Sequence, residues 1–357
     1  AAGLVYLMLR WRKKGDGVSQ QQLMHAPKPQ DSSTLLKRIL VIAIPVCLGS
    51  LAVNLSGIID LLTVTGRLSH VMDTAPQQLL ACYGQNIPQA ELVNGTVHNY
   101  LYGAYSGKAV VIANLVPALT TGMAVSALPA VAESFARGNR LRTQKSIQMV
   151  LRITALFCVP AGLGISALSQ EVCSLFFGMN NEVMIGAPLL RVLGLASIFI
   201  ALTGTTNSLL QAVGRVSLPV KLILIGSAIK LAMNYLLVGI PQLNIQAAPW
   251  STLVCYVVIT LLSLIALRST VGPLGAFGVF GKPLLAGLLC AAFARLTQNM
   301  LMQVTASRFA VLLSAAVGAA VYLVGLLLLR ALKKEDIMML PKGEKMAKIL
   351  EKYSLLG

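Results

Sequence analysis

Charge is scarce in this chain. Of 357 residues only 11% are Asp, Glu, Lys or Arg, less than half of the roughly 25% typical of a soluble domain. So few charges cannot cover a water-facing surface of this size, which excludes a soluble globular enzyme and a disordered or fibrous protein. Acid is scarcer still, at 12 residues against 29 basic ones. Aromatics make up 6%, and no basic patch is interleaved with stacking rings, so nucleic acid is not the expected partner. The six cysteines (47, 82, 158, 173, 255 and 290) form no CxxC pair and have no histidine at ligand spacing. They read as small packing residues, and no metal or cofactor is expected. His25, His70 and His98 have no carboxylate cluster near them. There is no P-loop, HExxH or GxSxG motif, so no enzyme chemistry is indicated. Asn94-Gly95-Thr96 matches a glycosylation acceptor, a motif too short to carry weight.

What the chain has is hydrocarbon: 56% of its residues are hydrophobic. Residues 39–59, 109–132, 153–170, 192–214, 231–267 and 309–329 contain no charge. The runs are continuous rather than alternating, which favours an all-α polytopic helix bundle over a β-barrel. Eight spans are expected, at roughly 38–63, 108–132, 148–169, 187–212, 218–239, 248–268, 282–302 and 308–330. The long run 231–267 is divided at the turn signal 239–244 (Gly-Ile-Pro-Gln-Leu-Asn). Residues 1–9 are apolar but too short to span and precede a basic cluster. They read as the end of a helix whose start lies outside the sequence, and 10–37 as a polar linker.

Basic residues set the expected topology. With alternating spans, 23 of the 29 Lys and Arg fall on one side, with the N-terminal linker and the C-terminal tail. The positive-inside rule makes that side cytoplasmic. In the tail, Met346, Ile349, Leu350, Tyr353 and Leu356 share one helical face and four lysines the other, the pattern of an interfacial helix on anionic lipid. The alternative is a merely soluble helical tail. A weak repeat relates Ile44–Gly49 to Val159–Gly164.

Ionisable groups inside spans are costly and point to function. Asp60 and Arg67, seven residues apart, share a helix face and either line a polar cavity or sit at headgroup level. Lys230, mid-span and four residues before Asn234, must snorkel, pair with an acid or face an aqueous cavity; the cavity is the reading preferred here. Arg295 offers a planar fork suited to phosphate, or it snorkels. Arg191 and Arg308 read as interfacial anchors. Pro45, Pro117, Pro129, Pro160, Pro219 and Pro249 permit kinks. With Asn54, Asn114, Asn207, Gln211 and Asn234 they fit a polar interior, although interhelical hydrogen bonding is the commoner role of such amides. Gly103–Gly107 is a GxxxG pattern and reads as a helix contact.

Several stretches together resemble a known family. Tyr102-Gly103 through Leu128-Pro129-Ala130-Val131-Ala132-Glu133-Ser134, followed by the basic turn Ala136–Arg140, is similar to the eighth-helix signature of the stage V sporulation protein B group. That group lies in the polysaccharide-transport branch of the MOP (multidrug, oligosaccharidyl-lipid, polysaccharide) flippase superfamily. Ile44–Ser50 with Ile59–Thr65, Leu209–Arg215 and Leu340–Lys345 resemble its seventh helix, tenth helix and C-terminus. The resemblance implies a MATE-like fold of fourteen helices in two six-helix lobes plus two. Residues 38–268 would then be the second lobe, 282–330 the two additional helices and 331–357 a cytoplasmic tail, with most of the first lobe missing. It also implies a lipid-linked saccharide of the undecaprenyl-pyrophosphate type as cargo, carried across the bacterial cytoplasmic membrane for spore cortex or envelope synthesis. On that reading Asn54, Asp60, Arg67, Lys230, Asn234 and Arg295 are the candidate headgroup residues, and 282–330 form a groove for the tail. The rivals are a multidrug cation antiporter, for which only Asp60 supplies an intramembrane carboxylate, and a non-transporting membrane assembly protein.

Overall fold

The computed structural model describes residues 31–275, 277–302, 308–329 and 331. The expectations for 1–30 and for the amphipathic tail lie outside these residues. The chain divides into two units, residues 1–44 and 45–357. In the first, the described residues are helical from Ser32, and Leu35, Leu36, Ile39, Leu40 and Val41 are exposed.

The second unit is a helical bundle; no strand occurs among the described residues. Its helices are α1 (Ser32–Thr74, entering from the first unit), α2 (Pro76–Tyr83), α3 (Gln89–Val93), α4 (Val97–Gly103), α5 (Leu115–Ala136) and α6 (Arg140–Ala167). They continue as α7 (Ser169–Phe177), α8 (Asn181–Ala212), α9 (Leu218–Met233), α10 (Ala247–Val271), α11 (Lys282–Met302) and α12 (Arg308–Leu328). Among the described residues six segments are long and apolar enough to cross a membrane: Arg140–Ala167, Asn181–Ala212, Leu218–Val238, Asn244–Val271, Phe277–Met302 and Phe309–Leu328. They coincide with the last six expected spans.

The expected second span is not one helix. α4 passes into a π-helical stretch, Ala104–Val110, then a single α-turn, Val111–Ala113, and only after Asn114 does α5 begin. Pro117 explains the break, because it has no N–H for the carbonyl of Ala113. A second π-helical stretch, Asn234–Val238, ends α9. The turn after it follows the expected division. Asn244 takes a positive φ of 38°, and its amide donates to Pro241 O at 3.0 Å.

Close crossings rest on glycine. A Cβ on Gly162 of α6 would lie 2.6 Å from Gly194 O of α8, and one on Gly226 of α9 would lie 2.4 Å from Ile259 of α10. Without side chains at these points the backbones approach closely, as small residues allow in membrane bundles. The GxxxG pair behaves otherwise: a Cβ on Gly103 or Gly107 would meet nothing within 4 Å. Residues 104–110 are π-helical, so the four-residue spacing no longer stays on one face. That corrects the expected helix contact.

Side-chain caps hold the turns between long helices. Asn139 Oδ1 accepts from Arg142 N at 3.0 Å and Asn180 Oδ1 from Val183 N at 2.9 Å, each satisfying an N–H that has no partner within its helix. α8 forms the centre of the unit, in contact with α5, α6, α7 and α10, while α11 packs on α6 and α12 packs on α11.

Candidate functional site

The charged centre lies where α1, α9, α10 and the first π stretch meet. On α1 the hydroxyl of Ser56 and the carboxylate of Asp60 are one turn apart, so both reach the same neighbour. That neighbour is Lys230 of α9. Its ammonium donates to Asp60 Oδ2 at 2.7 Å and to Ser56 Oγ at 3.0 Å. Four residues on, Asn234 Nδ2 donates to Asp60 Oδ1 at 2.9 Å and to Thr63 Oγ1 at 3.2 Å. Tyr105, from the first π stretch, donates its phenol to Asp60 Oδ2 at 3.3 Å and lies 3.4 Å from Thr252 Oγ1 of α10. Ser251 Oγ donates to Asn234 Oδ1, which turns the amide so that its nitrogen faces the carboxylate.

The cluster is dry. Asp60 is 7% exposed, Lys230 2% and Asn234 0%. Two opposite charges removed from water are tolerable only when paired and otherwise hydrogen-bonded, and this arrangement supplies both. Asp60 has three donors and the ammonium two acceptors. The small Gly226, one turn before Lys230, lets α9 approach α10 and brings the amide of Asn234 to Ser251.

Of the three options open to Lys230, the structure therefore takes the acid partner; the ammonium does not face an open hollow. Asp60 and Arg67 share a face of α1, as their spacing requires, but they meet α9 at different heights. Arg67 stacks 4.5 Å from the ring centre of Tyr235 and its Nε is buried without a partner. Its guanidinium occupies space beside Gly239, where a Cβ would fall 2.2 Å from Nη2. Arg295 does not join the cluster: it donates to Glu171 Oε1 of α7 at 2.8 Å. The side chains of Asn54 and Arg308 lie outside the described residues, and Arg191 is exposed on α8.

Sequence reasoning missed Ser56, Thr63, Tyr105, Ser251 and Thr252. Ser56 and Thr63 carried a signal, since they lie four residues before and three after Asp60, on the side that must bury the charge. Tyr105 carried none, because the π stretch sets its direction. A second ion pair was also missed: Lys108 Nζ lies 3.0 Å from Glu182 Oε2 and 4.5 Å from the centre of the Phe177 ring. Outside the spans, the Tyr83 phenol donates to Asn244 Oδ1 at 2.7 Å and accepts from Gln246 Nε2 at 3.2 Å. Burial pushes this phenol above its ordinary pKa of 10.0, so it stays protonated and ties α2 to the α9–α10 turn.

No group of three or more metal-ligating side chains occurs among the described residues. What the cluster can do chemically is hold one buried cation against one buried anion, with amide and hydroxyl groups able to redistribute hydrogen bonds around them.

Comparisons with known proteins give this chain a family and a fold. A curated relative, the lipid II flippase MurJ of Bacillus subtilis (strain 168), is 24% identical over 217 residues. The match takes in 57% of this chain, which spans 39% of that relative's length. Among solved structures, a MOP superfamily transporter from Pyrococcus furiosus shares the fold at a TM-score of 0.50. It is 13% identical, over 87% of this chain and 67% of that one. The family profile described as lipid II flippase MurJ matches residues 102–324. With that match running over well more than half of its length, the chain belongs to the lipid II flippase MurJ family.

Proposed function

We propose that this chain is part of a flippase that carries a lipid-linked peptidoglycan or polysaccharide precursor across the bacterial cytoplasmic membrane. The observation that carries the reading is the family match over residues 102–324. Its partner in structure is the intramembrane Asp60–Lys230 pair, since ionisable groups at that depth mark transport pathways by default. In this reading residues 38–268 are the second lobe of a two-lobe carrier and 282–330 its two additional helices. The C-terminal tail faces the cytoplasm, where its lysines meet anionic lipid. The motifs shared with the stage V sporulation protein B group support cortex synthesis as the setting.

An undecaprenyl-pyrophosphate headgroup is anionic and rich in hydroxyls, and it needs cations and amides to replace its water. Lys230 and Asn234 are proposed to receive it, with Asp60 governing their availability and Arg67 and Asn54 flanking. Arg295 was the remaining candidate; its bond to Glu171 supports a part in holding the last two helices instead. A cation antiporter is the weaker reading. It needs a free intramembrane carboxylate, and Asp60 is occupied by an ammonium.

The test is a translocation assay with the full-length protein in liposomes, using a fluorescent lipid-linked saccharide and a quencher that cannot cross the membrane. The expected result is protein-dependent transfer that falls at least tenfold in Lys230→Ala at equal reconstitution. Transfer equal to that of empty liposomes with the unaltered protein sinks the flippase reading.

A further inference from the structure

We propose that Asp60 and Lys230 form a proton-operated latch, in which a proton on Asp60 frees the Lys230 ammonium to take the phosphate of the cargo as its counter-ion. This rests on the flippase reading above and names how its site is opened.

The constraint comes from burial. An ammonium that is 2% exposed strongly favours an opposite charge beside it, because removing one partner of a buried pair leaves several kcal/mol uncompensated. Among the described residues Asp60 is the acid in contact with it. Among the described residues the other titratable groups around the pair are Tyr102 of α4, Tyr105 of the first π stretch, and Cys255 and Tyr256 of α10. None of these is a carboxylate or a cation, so the charges of the cluster are one plus and one minus. An anionic headgroup reaching this pair finds the Lys230 charge already neutralised by Asp60. If Asp60 is protonated first, the site holds a net single positive charge and the phosphate restores neutrality.

The hydrogen bonds permit a second satisfied state. With Asp60 ionised, the Tyr105 hydroxyl donates to it. With Asp60 protonated at Oδ2, the carboxyl O–H donates to the Tyr105 oxygen, and the phenol turns its own proton to Thr252 Oγ1, 3.4 Å away. Asn234 Nδ2 keeps its bond to Oδ1, since Ser251 holds the amide in that orientation. The only bond formed is the O–H on Asp60, with a proton from water; Lys230 keeps all of its protons. Two π-helical stretches supply Tyr105 and Asn234. Such interruptions concentrate at functional sites because their backbone bonds shift easily.

The experiment uses the full-length protein in nanodiscs and a polyprenyl diphosphoryl sugar whose phosphates stay ionised from pH 5.5 to 8.5. The proton is read without cargo, by infrared difference spectroscopy. Acidification should raise a protonated-carboxyl band that is absent in Asp60→Asn. Binding is read second. Wild-type affinity should rise as pH falls, by up to about tenfold per pH unit for one linked proton. Asp60→Asn, a fixed mimic of the protonated carboxyl, should bind tightly with no pH dependence. The double variant Asp60→Asn/Lys230→Met removes both charges and so keeps the interior neutral; it should bind weakly at every pH. No carboxyl band, a flat wild-type profile, a slope that persists in Asp60→Asn, or affinity that follows sodium at fixed pH overturns the latch. If the band appears as expected but the probe binds no variant and is not transferred, the flippase reading fails, and with it the cargo's part in the exchange.

Discussion

At the scale of single residues, the interior of this bundle is costly to alter at one point above others. Lys230 and Asp60 stabilise each other only as a pair, and desolvation offsets much of their attraction. Lys230→Met should therefore destabilise the protein by about 3–5 kcal/mol, because it leaves a buried carboxylate without its cation. Adding Asp60→Asn should recover most of that loss, although the double variant has fewer polar contacts than either parent. Thermal unfolding in detergent of the two single variants and the double gives the coupling directly. Equal, additive losses would mean that the two side chains do not act as a pair. The sequence made half of this legible. A lysine and an aspartate in otherwise uncharged runs announced themselves as exceptions, but nothing local says that residues 170 positions apart meet. That juxtaposition depends on the crossing of α1 with α9, which is a property of the fold.

At the scale of elements, helix positions were readable wherever hydrophobic runs ended in charge or turn residues. The last six spans follow that rule. The interrupted segment from Val97 to Ala136 was not readable as such, because a π stretch keeps the composition of a helix while changing its register. Proline alone was an ambiguous sign: Pro117 breaks the chain at Asn114, whereas Pro129, Pro160 and Pro188 lie inside continuous helices. Glycines divide in the same way, and only the packing sorts them. Gly162→Ala would drive a methyl group to 2.6 Å from a backbone oxygen of α8. That contact cannot be relieved by a rotamer, so we expect a loss of about 1–3 kcal/mol. Gly164→Ala, two residues away in the same helix with open space at its Cβ, should be neutral or stabilising by up to about 1 kcal/mol. Measuring both by detergent melting separates close approach from helix propensity. A similar response at the two positions would refute the crossing.

At the scale of the whole second unit, the last two helices are attached to α6 and α7 at defined points. Tyr322 of α12 donates to Leu156 O of α6 at 2.8 Å, and around it Ala286, Cys290 and Leu326 close a small apolar cluster with Leu156. Ser314 donates to Gln298 Oε1 at 2.9 Å, binding α11 to α12. Arg295 completes the attachment by reaching Glu171 and, at 3.4 Å, the carbonyl of Ala167. This arrangement separates two roles that an intramembrane arginine can play. If Arg295 holds the hairpin, Arg295→Leu should leave the Glu171 carboxylate, 12% exposed at its side chain, without a cation. Amide exchange across 282–302 should then quicken, and Arg295→Leu/Glu171→Leu should restore both the exchange protection and the transfer rate, since two apolar side chains can replace a partly buried pair. If Arg295 instead met the phosphate of the cargo, removing Glu171 could not compensate for its loss, and transfer by the double variant would stay as low as in Arg295→Leu alone.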